Sequence, residues 1–254
     1  MSKTKIIAIS NQKGGVGKST TTGNVAAGLH DKGFRVLCID LDPQGNLSFN
    51  MNASNRPLTS LEVLSGTAPA IDAIVKTEKA DIIPASPALA SADALITDTG
   101  KEFKLKEALE AIIDQYDYII IDTAPTLGTT TVNALTVATS VIIPAQAEVY
   151  SLQGIGQLSQ TIKTVKRYCN RDLFIEGILI TRFNDRTVLG RDFADKLEIA
   201  AKELNTKLYN TRIRENVAVK EAQLSQQDIF TYDKKCNAAV DYLSLIEELV
   251  TNGK

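Results

Sequence analysis

Residues 11–20 read Asn11-Gln12-Lys13-Gly14-Gly15-Val16-Gly17-Lys18-Ser19-Thr20. The apolar run Ile6-Ile7-Ala8-Ile9 leads in, and apolar or small residues recur at helical spacing behind it, at Val25, Ala26 and Leu29. A glycine-rich turn therefore joins a buried strand to the start of a helix. Such a turn aims several backbone N–H groups at one point, at the positive end of a helix dipole. Phosphate is the natural occupant. The same residues could form a plain turn with surface lysines, but strand, loop and helix agree on an anion site.

The usual phosphate-loop pattern, G-x-x-x-x-G-K-[ST], fits at Gly17-Lys18-Ser19 and fails at Gln12, where its first glycine belongs. Lys13-Gly14-Gly15-Val16-Gly17-Lys18-Ser19-Thr20 instead resembles K-G-G-x-G-K-[ST], the deviant Walker A motif of the ParA/MinD ATPase superfamily. The resemblance implies that Lys13, Gly14, Gly15, Val16, Gly17, Lys18, Ser19 and Thr20 hold ATP. Lys18 would reach the β- and γ-phosphates and Ser19 would ligate Mg²⁺. Lys13 would reach across a dimer interface to the partner's nucleotide.

The next strand, Val36-Leu37-Cys38-Ile39-Asp40, runs into Leu41-Asp42-Pro43-Gln44-Gly45-Asn46. Two carboxylates and a Pro-Gly loop beside a phosphate loop suggest a switch region. The segment resembles the family's D-x-D-P-Q-G-N motif throughout, which implies that Asp42 positions the attacking water and that Asp40 lies nearer the metal. Either acid could instead cap the following helix. Tyr118-Ile119-Ile120-Ile121-Asp122-Thr123 is a continuous apolar strand ending in a carboxylate, a Walker B pattern, so Asp122 is expected to hold Mg²⁺ through a water opposite Ser19. No glutamate follows Asp122, so slow hydrolysis is expected. Thr126-Leu127-Gly128 reads as a second switch.

Further along, Ser140 to Pro144 is a buried strand and Gln146-Ala147-Glu148 resembles the family's Q-x-E segment, implying a nucleotide role for Glu148; an acid at a helix start is the equal alternative. Phe174 to Thr181 is another strand, ending in Arg182-Phe183-Asn184-Asp185-Arg186-Thr187, the adenine-side loop of the family. Short helices are expected near 59–65 and 69–74, a strand at 80–84, and helices at 87–97, 102–115, 151–168, 188–204 and 235–250. Strands alternating with helices imply a mostly parallel, twisted sheet with helices on both faces, in an α/β P-loop NTPase fold of a single domain spanning residues 1–254.

Composition narrows the classes. The chain has 254 residues and a net charge of −2, so any nucleic-acid affinity is local. Between residues 163 and 220, thirteen basic residues face eight acidic ones, a local excess of +5. That stretch contains the part that ParA-like dimers apply to DNA without sequence preference. By resemblance Arg186 matches a DNA-contacting arginine. A second such arginine is replaced here by Ala218, and Arg214 or Lys220 are the expected substitutes. The three cysteines, Cys38, Cys169 and Cys236, match no zinc or C-x-x-C spacing and suit a reducing cytoplasm. His30 is expected to be solvated at the end of the first helix. Neither a signal peptide nor an apolar run near 20 residues is apparent, and the acidic C-terminal helix is a poor membrane anchor.

The expected function is a nucleoid-associated partition ATPase: an ATP-bound homodimer on non-specific DNA, stimulated by a ParB-like centromere-binding protein. The alternative is a nucleotide-dependent scaffold that positions another cellular machine.

Overall fold

A computed structural model describes residues 4–148, 150–184 and 188–251. In chain order the elements are β1 (Lys5–Ile9), α1 (Lys18–Asp31), β2 (Val36–Leu41), α2 (Asn46–Asn50), α3 (Ser60–Ser65), β3 (Asp81–Ile83), α4 (Ala92–Leu95), α5 (Lys104–Leu109) and β4 (Tyr118–Thr123). Then follow α6 (Thr129–Val137), β5 (Ser140–Gln146), α7 (Tyr150–Tyr168), β6 (Phe174–Phe183), α8 (Val188–Glu203), β7 (Leu208–Arg214), α9 (Val217–Leu224), α10 (Ile229–Asp233) and α11 (Asn237–Thr251). The strands form one sheet in the order β3-β2-β4-β1-β5-β6-β7, and every ladder is parallel.

Parallel strands need crossover helices, which cover both faces, so central strands are apolar on both sides. Ile6 and Ala8 of β1 and Ile119 and Ile121 of β4 face one core, closed by α3 and by α5 to α8. Ile7, Ile9, Tyr118 and Ile120 face the other, closed by α1, α2 and α9 to α11. The helix α1 approaches α11 so closely that a Cβ on Gly28 would lie 2.2 Å from Cδ1 of Ile246.

The structure differs from the sequence expectations at four places. The 102–115 segment is a short α-helix flanked by 3₁₀ turns at Lys101–Phe103 and Ile113–Gln115. Its apolar spacing correctly placed Leu105, Leu109 and Ile112 in the core, but burial does not require continuous helix. The 87–97 segment is likewise a 3₁₀ turn that runs into α4, and 69–74 is a 3₁₀ turn at Ala70–Ala73. The edge strand β7 was not anticipated. Its Leu-Tyr-Asn-Thr-Arg-Ile-Arg puts three polar residues in a row at a half-exposed edge and lacks the apolar run of the inner strands.

The segment after β4 is anchored from an unexpected place. Asp93 of α4 accepts the N–H of Thr129 at 2.6 Å and so caps α6 from outside the helix. The Thr129 hydrogen bonds hold the Asp93 carboxyl below its ordinary pKa. Asp93→Ala should therefore lower stability by about 0.5–1 kcal/mol at pH 7. Because the native pKa is the lower one, this contribution is complete above the unfolded value of about 4 and fades as pH falls through the native value. Urea unfolding at pH 7 and pH 3 should show the gap between wild type and variant narrowing in acid. Gly28→Val should cost more, about 1–3 kcal/mol, because the added side chain overlaps those of Ile246 and Phe230 in a packed core.

Candidate active site

The parallel register brings the predicted residues to one edge. Ile9 pairs with Asp122 and Asp40 pairs with Asp122, so β1, β2 and β4 deliver the phosphate loop and two carboxylates side by side at their carboxyl ends. Ligands of open α/β sheets bind at this edge.

The loop is braced by side chains from neighbouring strand ends. Asn11 donates to the carbonyl of Pro144 and accepts the N–H of Lys13. Gln146 donates to the carbonyl of Gly15 at 2.6 Å, and Thr181 donates to that of Val16 at 2.8 Å. In a trans peptide the N–H opposes the C=O, so pinning these carbonyls turns the next N–H groups, of Val16 and Gly17, the other way. Gly15 and Gly17 have φ of +73° and +85°, a region that penalises any Cβ. Lys18 is buried and donates to the carbonyl of Lys13 at 3.1 Å. Burial pushes its ammonium pKa down, while Asp122 and Asp42 oppose that shift.

The two strand-end carboxylates differ in their engagement. Asp40 is buried and accepts from the N–H and hydroxyl of Ser48 on one oxygen, and from the N–H of Asp42 on the other. Burial pushes its pKa up to about 6 against these hydrogen bonds. It thus fastens the switch loop to α2. Asp122 is equally buried, and the nearby Ser19 hydroxyl is its only side-chain hydrogen-bond donor among the described residues, without close hydrogen-bond geometry. Burial raises its pKa well above the ordinary value and neighbouring Asp40 raises it further, with Ser19 and Lys18 opposing. A buried carboxylate with unused lone pairs, beside a hydroxyl and a second acid, suits a divalent cation. Of the two, Asp122 has the donor capacity for a metal, and Asp40 is committed to Ser48 and Asp42. Asp42 itself is buried at the loop entrance, with one oxygen accepting the N–H of Gln44 at 3.0 Å.

A cavity of about 720 Å³ extends from this edge, lined among others by Gly14, Lys18, Asp42, Arg182, Glu215 and Lys220. Its size is that of a small-molecule site. Lys13, at its rim, pairs with Glu148 of the same chain. Thr20 accepts a hydrogen bond from Gln223 at 2.7 Å, which ties α9 to the phosphate-loop helix. Arg182, with φ of +50°, reaches Glu215 at 2.8 Å.

Of the residues expected to meet DNA, two are described. Arg186 lies outside the described residues. Arg214 is redirected: its guanidinium makes a two-pronged pair with Asp241 of α11, with contacts of 2.6 to 3.2 Å, and its N–H binds the same carboxylate. That pair fastens β7 to α11. Ala218 is buried against the second core, so its side chain faces inward. Lys220 remains exposed at the cavity rim. His30, expected to be solvated, is half-buried with Nδ1 3.7 Å from Asp31.

Sequence reading missed Asn11, Gln146, Thr181 and Ser48 as bracing residues. Each is a neutral polar side chain buried next to a phosphate-loop or switch residue, and only the fold shows that adjacency. Among the described residues no group of three or more His, Cys, Asp or Glu side chains is arranged to hold a metal ion. No described helix is long and apolar enough to cross a membrane.

Removing Asp241 would leave Arg214 without its main partner. Asp241→Ala should lower stability by about 1–3 kcal/mol, seen as an earlier urea midpoint; an unchanged midpoint would refute the fastening role.

Known proteins agree with this geometry. A family model described as "AAA domain" matches residues 4–175. The sporulation initiation inhibitor protein Soj of Bacillus subtilis is 43% identical over 254 residues, covering 98% of this chain and 99% of Soj. The chromosome partitioning protein ParA of Caulobacter vibrioides is 39% identical, covering 97% and 94%. The solved structure of cobyrinic acid a,c-diamide synthase from Mycobacterium smegmatis with bound ATP analog and magnesium is 34% identical, with a TM-score of 0.88, over 99% of this chain and 96% of that one. With the phosphate loop, both strand-end carboxylates and the all-parallel sheet in place, the chain belongs to the ParA/MinD superfamily of P-loop ATPases, among its Soj/ParA-type members.

Proposed function

We propose that this chain is an ATP-dependent partition ATPase, a nucleotide-switched homodimer that holds DNA without sequence preference. The observation that carries the reading is the convergence of Lys18, Ser19, Asp42 and Asp122 on one cavity edge, with Lys13 standing at its rim. The fold and the full-length similarity to Soj and ParA support it.

In this reading the phosphate-loop N–H groups and the Lys18 ammonium bind the β- and γ-phosphates of ATP. Ser19 and Asp122 would hold Mg²⁺, which when bound neutralises charge on the phosphates. The free oxygen of Asp42 orients a water for attack on the γ-phosphorus; a P–O bond forms to that water as the bond to ADP breaks, and phosphate leaves. Asp40 acts through Asp42 by fixing the loop to Ser48. With no glutamate after Asp122 to take the water's proton, turnover is slow. Lys13 leaves Glu148 and reaches the partner subunit's nucleotide, so that ATP joins two copies, and Glu148 supports the same interface. Arg182 borders the base. A ParB-like protein bound to a centromere speeds hydrolysis and releases the dimer into the cytoplasm. Arg186, Arg214 and Lys220 are the candidate DNA contacts, at the β6–α8 segment, the end of β7 and α9. The alternative, a positioning scaffold for another machine, shares the switch and lacks the DNA step.

Three substitutions separate the parts. Lys18→Ala should abolish ATP binding. Lys13→Ala should bind ATP yet remain a monomer by light scattering, and Asp42→Ala should accumulate as an ATP dimer without turnover. Wild-type chain should be retained on random-sequence DNA only with ATP, and less as salt rises. Equal retention with and without ATP would overturn the DNA switch, and nucleotide-driven pairing without any retention would favour the scaffold.

A further inference from the structure

We propose that the outer face of α7 is a phosphate-tracking surface for duplex DNA, separate from the β6–α8 and α9 segments. The inference rests on the DNA-binding reading above and adds a location to it. From residue 150 to residue 171 the chain carries four basic residues, Lys163, Lys166, Arg167 and Arg171, and no aspartate or glutamate. In a protein of net charge −2 that is a concentrated exception.

The helix sorts its residues cleanly. Ile155, Leu158, Ile162 and Val165 are buried in the core. The opposite stripe is Gln153, Gln157, Gln160, Thr164, Arg167 and, just past the helix end, Arg171, all exposed. Spacings of three and four residues keep Gln153 to Arg167 on one face, while the exposed Lys163 flanks that stripe and Lys166 lies further round the helix. At 1.5 Å per residue it extends roughly 23 Å along the helix, long enough to meet several phosphates of a duplex whose axis carries one charge per about 1.7 Å. Every side chain on it is a hydrogen-bond donor, and none is an acid that would repel a phosphate.

The cations are available. Lys163, Lys166, Arg167 and Arg171 form no ion pair with a carboxylate among the described residues. Several neighbouring basic residues are taken, Lys207 by Glu176, Lys202 by Glu198 and Arg214 by Asp241, whereas Lys196 and Lys220 are likewise without an ion pair among the described residues. Tyr168, 67% exposed, lies with its ring 5.1 Å from the Arg167 guanidinium and stiffens it. Dipole complementarity accounts for Lys166 and Arg167 in the last turn, but not for Lys163, Arg171 or the missing acids. The contrast is α8 on the same side of the sheet, whose exposed face mixes Asp192, Asp195 and Glu198 with Lys196 and Lys202.

The face also has a route to the nucleotide. At Gly154, in the first turns of α7, an added Cβ would lie 3.1 Å from the Asn11 oxygen that braces the phosphate loop. One rigid helix thus runs from that loop to the opposite edge of the sheet.

The test uses full-length chain with ATP and Mg²⁺ on a random-sequence duplex, with binding measured over a series of salt concentrations. A variant carrying Lys163→Gln, Lys166→Gln, Arg167→Gln and Arg171→Gln should lose at least about tenfold in affinity. Its slope of log affinity against log salt should be shallower by about 0.9 for each phosphate contact removed. The pairs Lys163→Gln with Lys166→Gln and Arg167→Gln with Arg171→Gln should each give an intermediate slope, and they serve if the fourfold variant unfolds. Lys196→Gln with Lys202→Gln should leave the slope unchanged. A wild-type slope in a folded α7 variant that still pairs with ATP overturns the inference and leaves the switch standing. If wild-type chain itself binds no DNA, both readings fall. If the α7 variant loses binding only to phosphatidylserine vesicles, the surface belongs to lipid and the inference is overturned.

Discussion

Three carboxylates and one ammonium meet at the carboxyl edge of β1, β2 and β4, and the arrangement of the rest of the molecule follows from how that charge is held. The register that pairs Asp40 with Asp122 sets two buried acids on neighbouring strands. Unpaired, such a pair is costly, and burial pushes both toward the protonated form. The fold relieves Asp40 with Ser48 and the Asp42 N–H, and Lys18 offsets Asp122 only partly. The edge is thus arranged for added positive charge and for phosphates that carry it. Stability here is traded for a surface that changes when a nucleotide arrives.

Around that edge, rigidity and mobility are divided by hydrogen bonding. The phosphate loop is braced from β5 and β6 by Asn11, Gln146 and Thr181, so its carbonyls are fixed before any ligand binds. Preorganised donors lose little in reorganisation when an anion enters. The contacts at the rim are of another kind. Lys13 with Glu148 and Arg182 with Glu215 are partly exposed ion pairs, each worth little and readily exchanged for a partner's groups. The hydrogen bond from Gln223 to Thr20 and the one from Gln226 to the Phe49 carbonyl join α9 to the phosphate-loop helix and to α2. These bonds connect α9, where Lys220 stands exposed, to the phosphate-loop helix.

Much of the site was legible because its signals are local. Lys13 to Thr20, Asp42 and Asp122 sit at strand ends, and strand ends are recognisable from continuous apolar runs followed by a polar break. Residues that act by contact with distant segments were not legible. Arg214 looked like a free cation in a basic stretch, but its partner Asp241 lies 27 residues on, in a different helix. Asp93 looked like an ordinary helix acid, yet it caps α6 from 36 residues away. The edge strand β7 escaped for a related reason: its largely polar make-up reflects a half-exposed position that only the completed sheet defines.

The sequence by itself determined the fold class, the phosphate loop and the identity of the acids that face it, because glycine spacing and apolar runs act within a few residues of one another. The tertiary structure decided which of those acids keeps a free lone pair, which cations are already paired, and which helix face stays uncovered. Those outcomes depend on register and on packing between segments far apart in the chain, and no local pattern encodes them.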